Sequence, residues 1–322
     1  MIRHLCKWIL GATLSLASIA AQAAYPDKPI TLLTPFPAGG TSDILARMVA
    51  EHLGKAWGQP VIVQNKPGAS GLIAMSQVIK AAPDGYTLTI TSSGTASINP
   101  HLFQNPPYDT FKDFTHVTIL VDLPFLLVVE QSSSVKTLAD YIARAKAKPD
   151  GVTLGISGIG SHQFLAAHQM TTQAGIQVNL IPYKGSSQQI VDLLGGSLDS
   201  MLDNVATQIP MIQTGKVRPL AISTTARIAQ LPQVPTFDEA GLAGFQSIPW
   251  FGLAAPAGTS PEITEKIQAE IAAYFKQPDT RRKLDEMGVV PAAITPQETL
   301  ARLRAEYRAL GQAVDTLGLP KQ

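Results

Sequence analysis

The chain has 322 residues, of which 45% are hydrophobic and 15% charged, and a formal net charge of +1. That length suits two modest domains with sizeable cores. The low charge fraction and the lack of any Lys/Arg cluster exclude a disordered polyelectrolyte and a nucleic-acid partner.

The first segment reads as a secretory signal. Arg3, His4 and Lys7 open it, an apolar and small-residue run follows from Trp8 to Ala21, and Ala21-Gln22-Ala23 is a cleavage pattern. The run is shorter than the roughly 20 apolar residues that span a membrane. Residues 1–23 are therefore expected to be removed and the rest exported. Removal would take Cys6, the only cysteine, and lower the formal charge from +1 by the two units of Arg3 and Lys7. Without disulfides or a strong overall field, stability rests on the core and any anion binding on a local site.

Strands and helices then alternate. Ile30 to Thr34 reads as a strand, and a helix begins near Thr41 or Ser42, with Leu45, Met48, Val49 and Leu53 at helical spacing. A strand at Val61 to Val63, a helix over Gly71 to Ala82 and a strand at Tyr86 to Thr91 follow. This alternation predicts an α/β fold of mostly parallel sheets flanked by helices. The pattern helix, Pro-Asp-Gly turn, strand, Ser/Gly loop occurs at Lys80 to Thr95 and again at Lys146 to Ser161, as two similar lobes would show. Two long apolar runs, Val117 to Glu130 broken by Pro124 and Phe245 to Pro256 containing Pro249, read as strands crossing between lobes. The expected lobes are 24–124 with 249–322, and 125–248. In the last third, Ser260-Pro261 and the capping box Thr295-Pro296-Gln297-Glu298 open helices that read as packing elements without chemistry.

Four strand-to-helix turns are rich in Gly, Ser and Thr. Such turns present backbone N–H groups and the positive end of a helix dipole to an anion, at the carboxyl ends of strands. The candidates in the first are Ala38, Gly39, Gly40, Thr41, Ser42 and Asp43. Asp43 has two readings there, ligand contact or ordering of the loop, since an exposed carboxylate would repel an anion. The second turn offers Ser92, Ser93, Gly94 and Thr95, and the third Ser157, Gly158, Gly160 and Ser161, with His162 beside it. The fourth holds Tyr183, Lys184 and Gly185, where Lys184 is either a solvated surface cation or a ligand contact. Asp203 ends another strand. No metal or cofactor motif is present. Gly155-Ile156-Ser157-Gly158-Ile159 lacks the last glycine of a nucleophile elbow, Gly158-Ile159-Gly160 lacks the third glycine of a dinucleotide fingerprint, and the histidines have no metal-ligand spacing. A secreted hydrolase using Ser157 or Ser161 would need a base and an orienting acid, and no persuasive set appears.

The chain resembles the Bug family, the periplasmic receptors of tripartite tricarboxylate transporters (TctC-like) found in numbers in Bordetella. The resemblance is carried in order by Tyr25-Pro26-Asp27-Lys28-Pro29-Ile30, Thr34-Pro35-Phe36-Pro37-Ala38-Gly39-Gly40, Ala82-Pro83-Asp84-Gly85-Tyr86, Pro182-Tyr183-Lys184-Gly185 and Trp250-Phe251-Gly252-Leu253-Ala254-Ala255-Pro256. It implies a two-lobed, type II-like binding protein that is a monomer without cofactor, closes on a small carboxylate and docks on membrane permease subunits. It implies binding rather than catalysis. A sensor subunit presenting its ligand to a membrane histidine kinase is the alternative role. The family's ligand positions map onto the turns above and onto Asp203. One departure stands out: the family pattern S-G-x-G-S-x-x-H has Phe164 in place of its histidine, which predicts a more apolar pocket.

Overall fold

The computed structural model describes residues 25–156, 161–183, 185–318 and 321. The leader and its cleavage pattern lie outside them, as do Ser157, Gly158, Gly160 and Lys184. The first sheet is built from β1 (Ile30–Thr34), β2 (Val61–Asn65), β3 (Thr87–Ser92), β4 (Phe114–Asp122), β10 (Trp250–Pro256) and β11 (Val290–Pro291), in the order β11-β4-β10-β3-β1-β2. The second contains β5 (Phe125–Glu130), β6 (Thr153–Ile156), β7 (Asn179–Pro182), β8 (Ser200–Asn204) and β9 (Val217–Ile222), in the order β7-β6-β8-β5-β9.

Each sheet is parallel where strands alternate with helices, at β2-β1-β3 and β7-β6-β8, and antiparallel where β5 or β10 pairs and at the β11-β4 edge. The reason is topological. A strand that enters one sheet directly from the other has no crossover helix to return it to the starting edge. Strands β4 and β5 are joined through Leu123-Pro124, and Leu123 N donates to the Pro249 carbonyl at 2.7 Å, so the outgoing and returning connections are tied together. The returning run becomes a strand only at Trp250. Phe245, at its expected start, is buried in the core of the second sheet.

The helices that place the site are α1 (Thr41–Trp57), α5 (His162–Ala174), α7 (Val205–Gln213) and α10 (Pro296–Thr316). Helix α1 buries Leu45, Val49 and Leu53 against Ile30, Leu32, Leu88 and Ile90 of the first sheet. Helix α5 buries Leu165, Ala166 and Met170 in the second. The expected helix over Gly71 to Ala82 is shorter, a 3-10 turn at Ala69–Gly71 followed by α2 (Leu72–Val78). Helix α10 has the predicted capping box at Thr295 and Glu298. Its Leu303 packs beside Trp250 and Ile119, while Leu310 and Val314 join the core of the second sheet.

Candidate functional site

The carboxyl ends of β1, β3, β6 and β8 face one another across the crossing strands. Between them lies a cavity of about 190 Å³, bounded by Ser92, Ser93 and Gly94 on one side and by Ser161, His162, Gln163 and Asn204 on the other. Leu123, Phe125, Pro249, Trp250 and Phe251 form its floor, and Phe36 closes an edge. A second cavity of about 490 Å³ shares Phe36, Ser92, Gly94, Ser161 and His162 with it and extends to Thr95 and Asn99. No lysine or arginine lines either cavity among the described residues.

The second turn folds as a helical start rather than an open loop, with a π turn at Gly94–Ile98 leading into α3 (Asn99–Leu102). Ser92 and Thr95 lock it reciprocally. Ser92 N donates to Thr95 Oγ1 at 2.9 Å, and Thr95 N donates to Ser92 Oγ at 3.1 Å. These bonds shape the turn and take up the Ser92 and Thr95 N–H groups, while Ser93 and Gly94 of the same turn line the cavity edge. Ser161 caps α5 by accepting from Phe164 N at 3.0 Å.

His162 opens α5 and connects the two halves of the site. Its Nδ1 lies 2.9 Å from Ser93 Oγ and its Nε2 3.1 Å from Ser247 Oγ. Enclosure, with the Arg302 charge nearby, holds its imidazole down at about 4. The ring is therefore neutral at pH 7 and offers one N–H donor. A serine–histidine contact of this kind begins a hydrolytic triad, but the second nitrogen meets a hydroxyl rather than a carboxylate, and so weakly basic an imidazole is a poor general base. The pair is built to hold a shape.

Several predicted residues stand behind the cavity instead of lining it. Ala38, Gly39 and Gly40 form an exposed tip. Thr41 is half-buried at the start of α1, and Ser42 and Asp43 are buried. Asp43 accepts from Gly39 N (3.0 Å), Arg47 Nε (3.0 Å) and Asn65 Nδ2 (2.9 Å). The Arg47 and Gly39 bonds pull its carboxyl down to about 2. Of its two readings, the geometry matches the ordering one: Asn65 also donates to the Phe36 carbonyl (3.2 Å), so the network fixes the loop that carries Phe36 into the cleft.

Asp203 is buried, with Gln163 (2.9 Å), Thr207 (2.6 Å) and Gln208 (3.1 Å) donating to it, and burial raises its carboxyl. Strand alternation turns its neighbour Asn204 to the cavity. Tyr183 donates its hydroxyl to Asp192 at 2.7 Å, and neither it nor Gly185 lines the two cavities. Phe164 is buried in the second core with its ring against His168, at 4.5 Å between centroids. It therefore does not make the pocket more apolar, because the third helical position turns away from the cleft that the first one faces. The apolar floor comes from Phe125, Trp250 and Phe251. Of these, Trp250 and Phe251 stood in a recognised motif without being taken as site residues.

The chain matches the model of the tripartite tricarboxylate transporter family receptors (TctC) over residues 45–319. It is 35% identical to Protein BugT of Bordetella pertussis over 96% of both chains. Among solved structures, it is similar to R. palustris Rpa4515 with adipate, with a TM-score of 0.81 and 34% identity over 92% of this chain and 99% of that one. It is also similar to MatC of Rhodopseudomonas palustris with bound malate, with a TM-score of 0.76 and 30% identity over 90% of this chain and 100% of that one.

Proposed function

The chain belongs to the tripartite tricarboxylate transporter receptor family, and from that premise we propose that it captures a small carboxylate in the periplasm and presents it to the membrane subunits of such a transporter. The observation that carries this reading is the cavity between the two sheets, edged by Ser92, Ser93, Gly94, Ser161 and neutral His162, with no lysine or arginine lining it among the described residues. Turn N–H groups and hydroxyls suit a carboxylate, and the aromatic floor suits a short carbon body. Relatives solved with adipate and malate support the same class.

In this reading, residues 1–23 are removed near Ala23 and the chain works as a monomer. The units 24–124 with 249–322 and 125–248 close over the solute about the paired crossings at 123–124 and 249. Ser157, Gly158, Gly160 and Lys184 are proposed as further ligand contacts, on the sequence pattern of the third and fourth turns. Asp43, Tyr183 and Asp203 shape the turns from behind. A solute that touches both units only when they are closed shifts the population toward closure, and the family resemblance assigns the chain no chemical step.

A thermal-shift screen against mono-, di- and tricarboxylates, acidic amino acids and aromatic acids tests the reading. A ligand at about a hundredfold excess over its dissociation constant adds about 2.7 kcal/mol of apparent stability. A clear rise with one chemical subset is the expected result. No rise with any acid, in protein freed of co-purified ligand, would remove the carboxylate class.

A further inference from the structure

The cleft wall supplied by β10 is held from outside the cleft. Trp250 is 1% exposed and its ring packs among Ala96, Ile119 and Leu303. Gly252, on the same face of β10, leaves it room: a Cβ there would meet Trp250 Cζ3 at 3.0 Å and the Thr118 carbonyl oxygen at 2.7 Å. The indole has one polar atom, Nε1–H, and it donates to Glu306 Oε2 at 2.7 Å.

Glu306 reaches that atom from α10, on the side away from the solute cavity, where a further cavity of about 500 Å³ opens between α10, α5 and the segment at 246–248. Burial pushes its carboxyl up to about 7, against the pull of the Trp250 N–H and the Arg302 guanidinium. The charged and titratable groups that face it are few. Arg302, one turn earlier, binds Asp122 of β4 through both terminal nitrogens at 2.6 and 3.1 Å. His162 of α5 lines the same cavity and stays neutral where Glu306 titrates. From β10 and the 94–98 turn only the uncharged Trp250 and Ser97 approach.

We propose that Glu306 is a positioning residue for the solute cleft: it fixes the Trp250 indole in the cleft wall and makes solute affinity depend on the protonation of a side chain that the solute does not touch. The proposal rests on the carboxylate reading above. A buried indole N–H without an acceptor is costly, so the acceptor decides where the ring sits. Ionised Glu306 also sets a negative charge behind the wall against which an anionic solute lies. The repulsion passes through the packed Trp250 ring, which is 1% exposed, so water screens it less than in bulk solvent, and binding is tighter when Glu306 is protonated.

The test uses the full chain labelled with 5-fluorotryptophan. Its indoles are Trp8, Trp57 and Trp250, and the fluorine resonance lost in Trp250→Phe is the one to follow. Without solute, that resonance should titrate with a midpoint near the Glu306 value of about 7 in the wild type, and not in Glu306→Gln. Adipate serves as the probe ligand. Relative to Glu306→Gln, the wild type should lose roughly fivefold in adipate affinity between about pH 6 and about pH 8. Glu306→Leu, which removes the acceptor, should bind about tenfold more weakly at both pH values, and where it does not fold the Gln variant decides alone.

A Trp250 resonance that still titrates in Glu306→Gln, or an adipate pH profile that Glu306→Gln does not change, overturns the proposal. If no acid of the panel binds at any pH, the carboxylate reading falls and the cleft role of Glu306 with it. The fluorine titration, read without solute, overturns the positioning role by itself even where adipate binds.

Discussion

Three carboxyl groups near the cleft show how one residue type takes different roles. Asp43 is drawn down to about 2 by Arg47 and the Gly39 N–H, Asp203 is raised by burial, and Glu306 is raised to about 7. The Glu306 shift has a consequence for stability. Its ordinary value is 4.5 and its folded value about 7, so between these the folded state holds a proton that the unfolded state has lost. Its contribution to stability is full below 4.5 and falls as pH rises through about 7. His162 and His116 act in the opposite sense, since each is lowered from 6.5 to about 4 and so favours folding as pH rises. The difference between wild type and Glu306→Gln isolates the carboxyl. We expect the variant to gain on the wild type by on the order of 3 kcal/mol between about pH 5 and about pH 8, measured by denaturant unfolding at each pH. Glu306 was not singled out in the sequence, because periodicity reveals which side of a helix is apolar and not what either side meets. Asp43 was better legible: its place at a helix start made ordering of the loop one of its two readings.

At the scale of elements, β10 and α10 carry most of what was unforeseen. The run from Phe245 to Pro256 was recognised as a crossing, yet pairing begins only at Trp250, since Pro249 has no N–H to give a ladder. Gly252 looked like one residue of a motif. The register explains it, for it pairs with Thr91 on β3 and Ile119 on β4 while Trp250 fills the space above. Gly252→Ala should therefore cost about 1–3 kcal/mol, as overpacking does, and red-shift Trp250 emission as the ring is displaced. Unchanged stability and emission would mean that β10 yields more readily than its contacts imply. The capping box of α10 was plain at Thr295 and Glu298, because caps are local. Its passage from Leu303 beside the first sheet to Val314 in the second core was not, because that depends on where both sheets stand.

For the whole molecule, the two sheets have separate cores and are linked by the paired crossings and by α10. If the cleft closes on its solute, small-angle scattering should show a smaller radius of gyration with saturating ligand than without it. An unchanged radius together with a clear thermal shift would place the solute in an already closed site. Sequence by itself determined the α/β alternation, the two apolar crossings, the hydroxyl-rich turns and the family, since these follow from periodicity, local turn chemistry and ordered motifs. Only the tertiary structure decided which turn residues reach the cavity. Ser92, Ser93, Gly94 and Ser161 do, whereas Asp43, Phe164 and Asp203 turn inward. It also decided that Asn204, Trp250 and Phe251 line the cavity and that Glu306 stands behind its wall. The physical reason is that a side chain's direction at a strand end or a first helical turn changes by a large angle with each residue. Its partners, 180 positions apart in the case of Arg302 and Asp122, are set by how the elements pack.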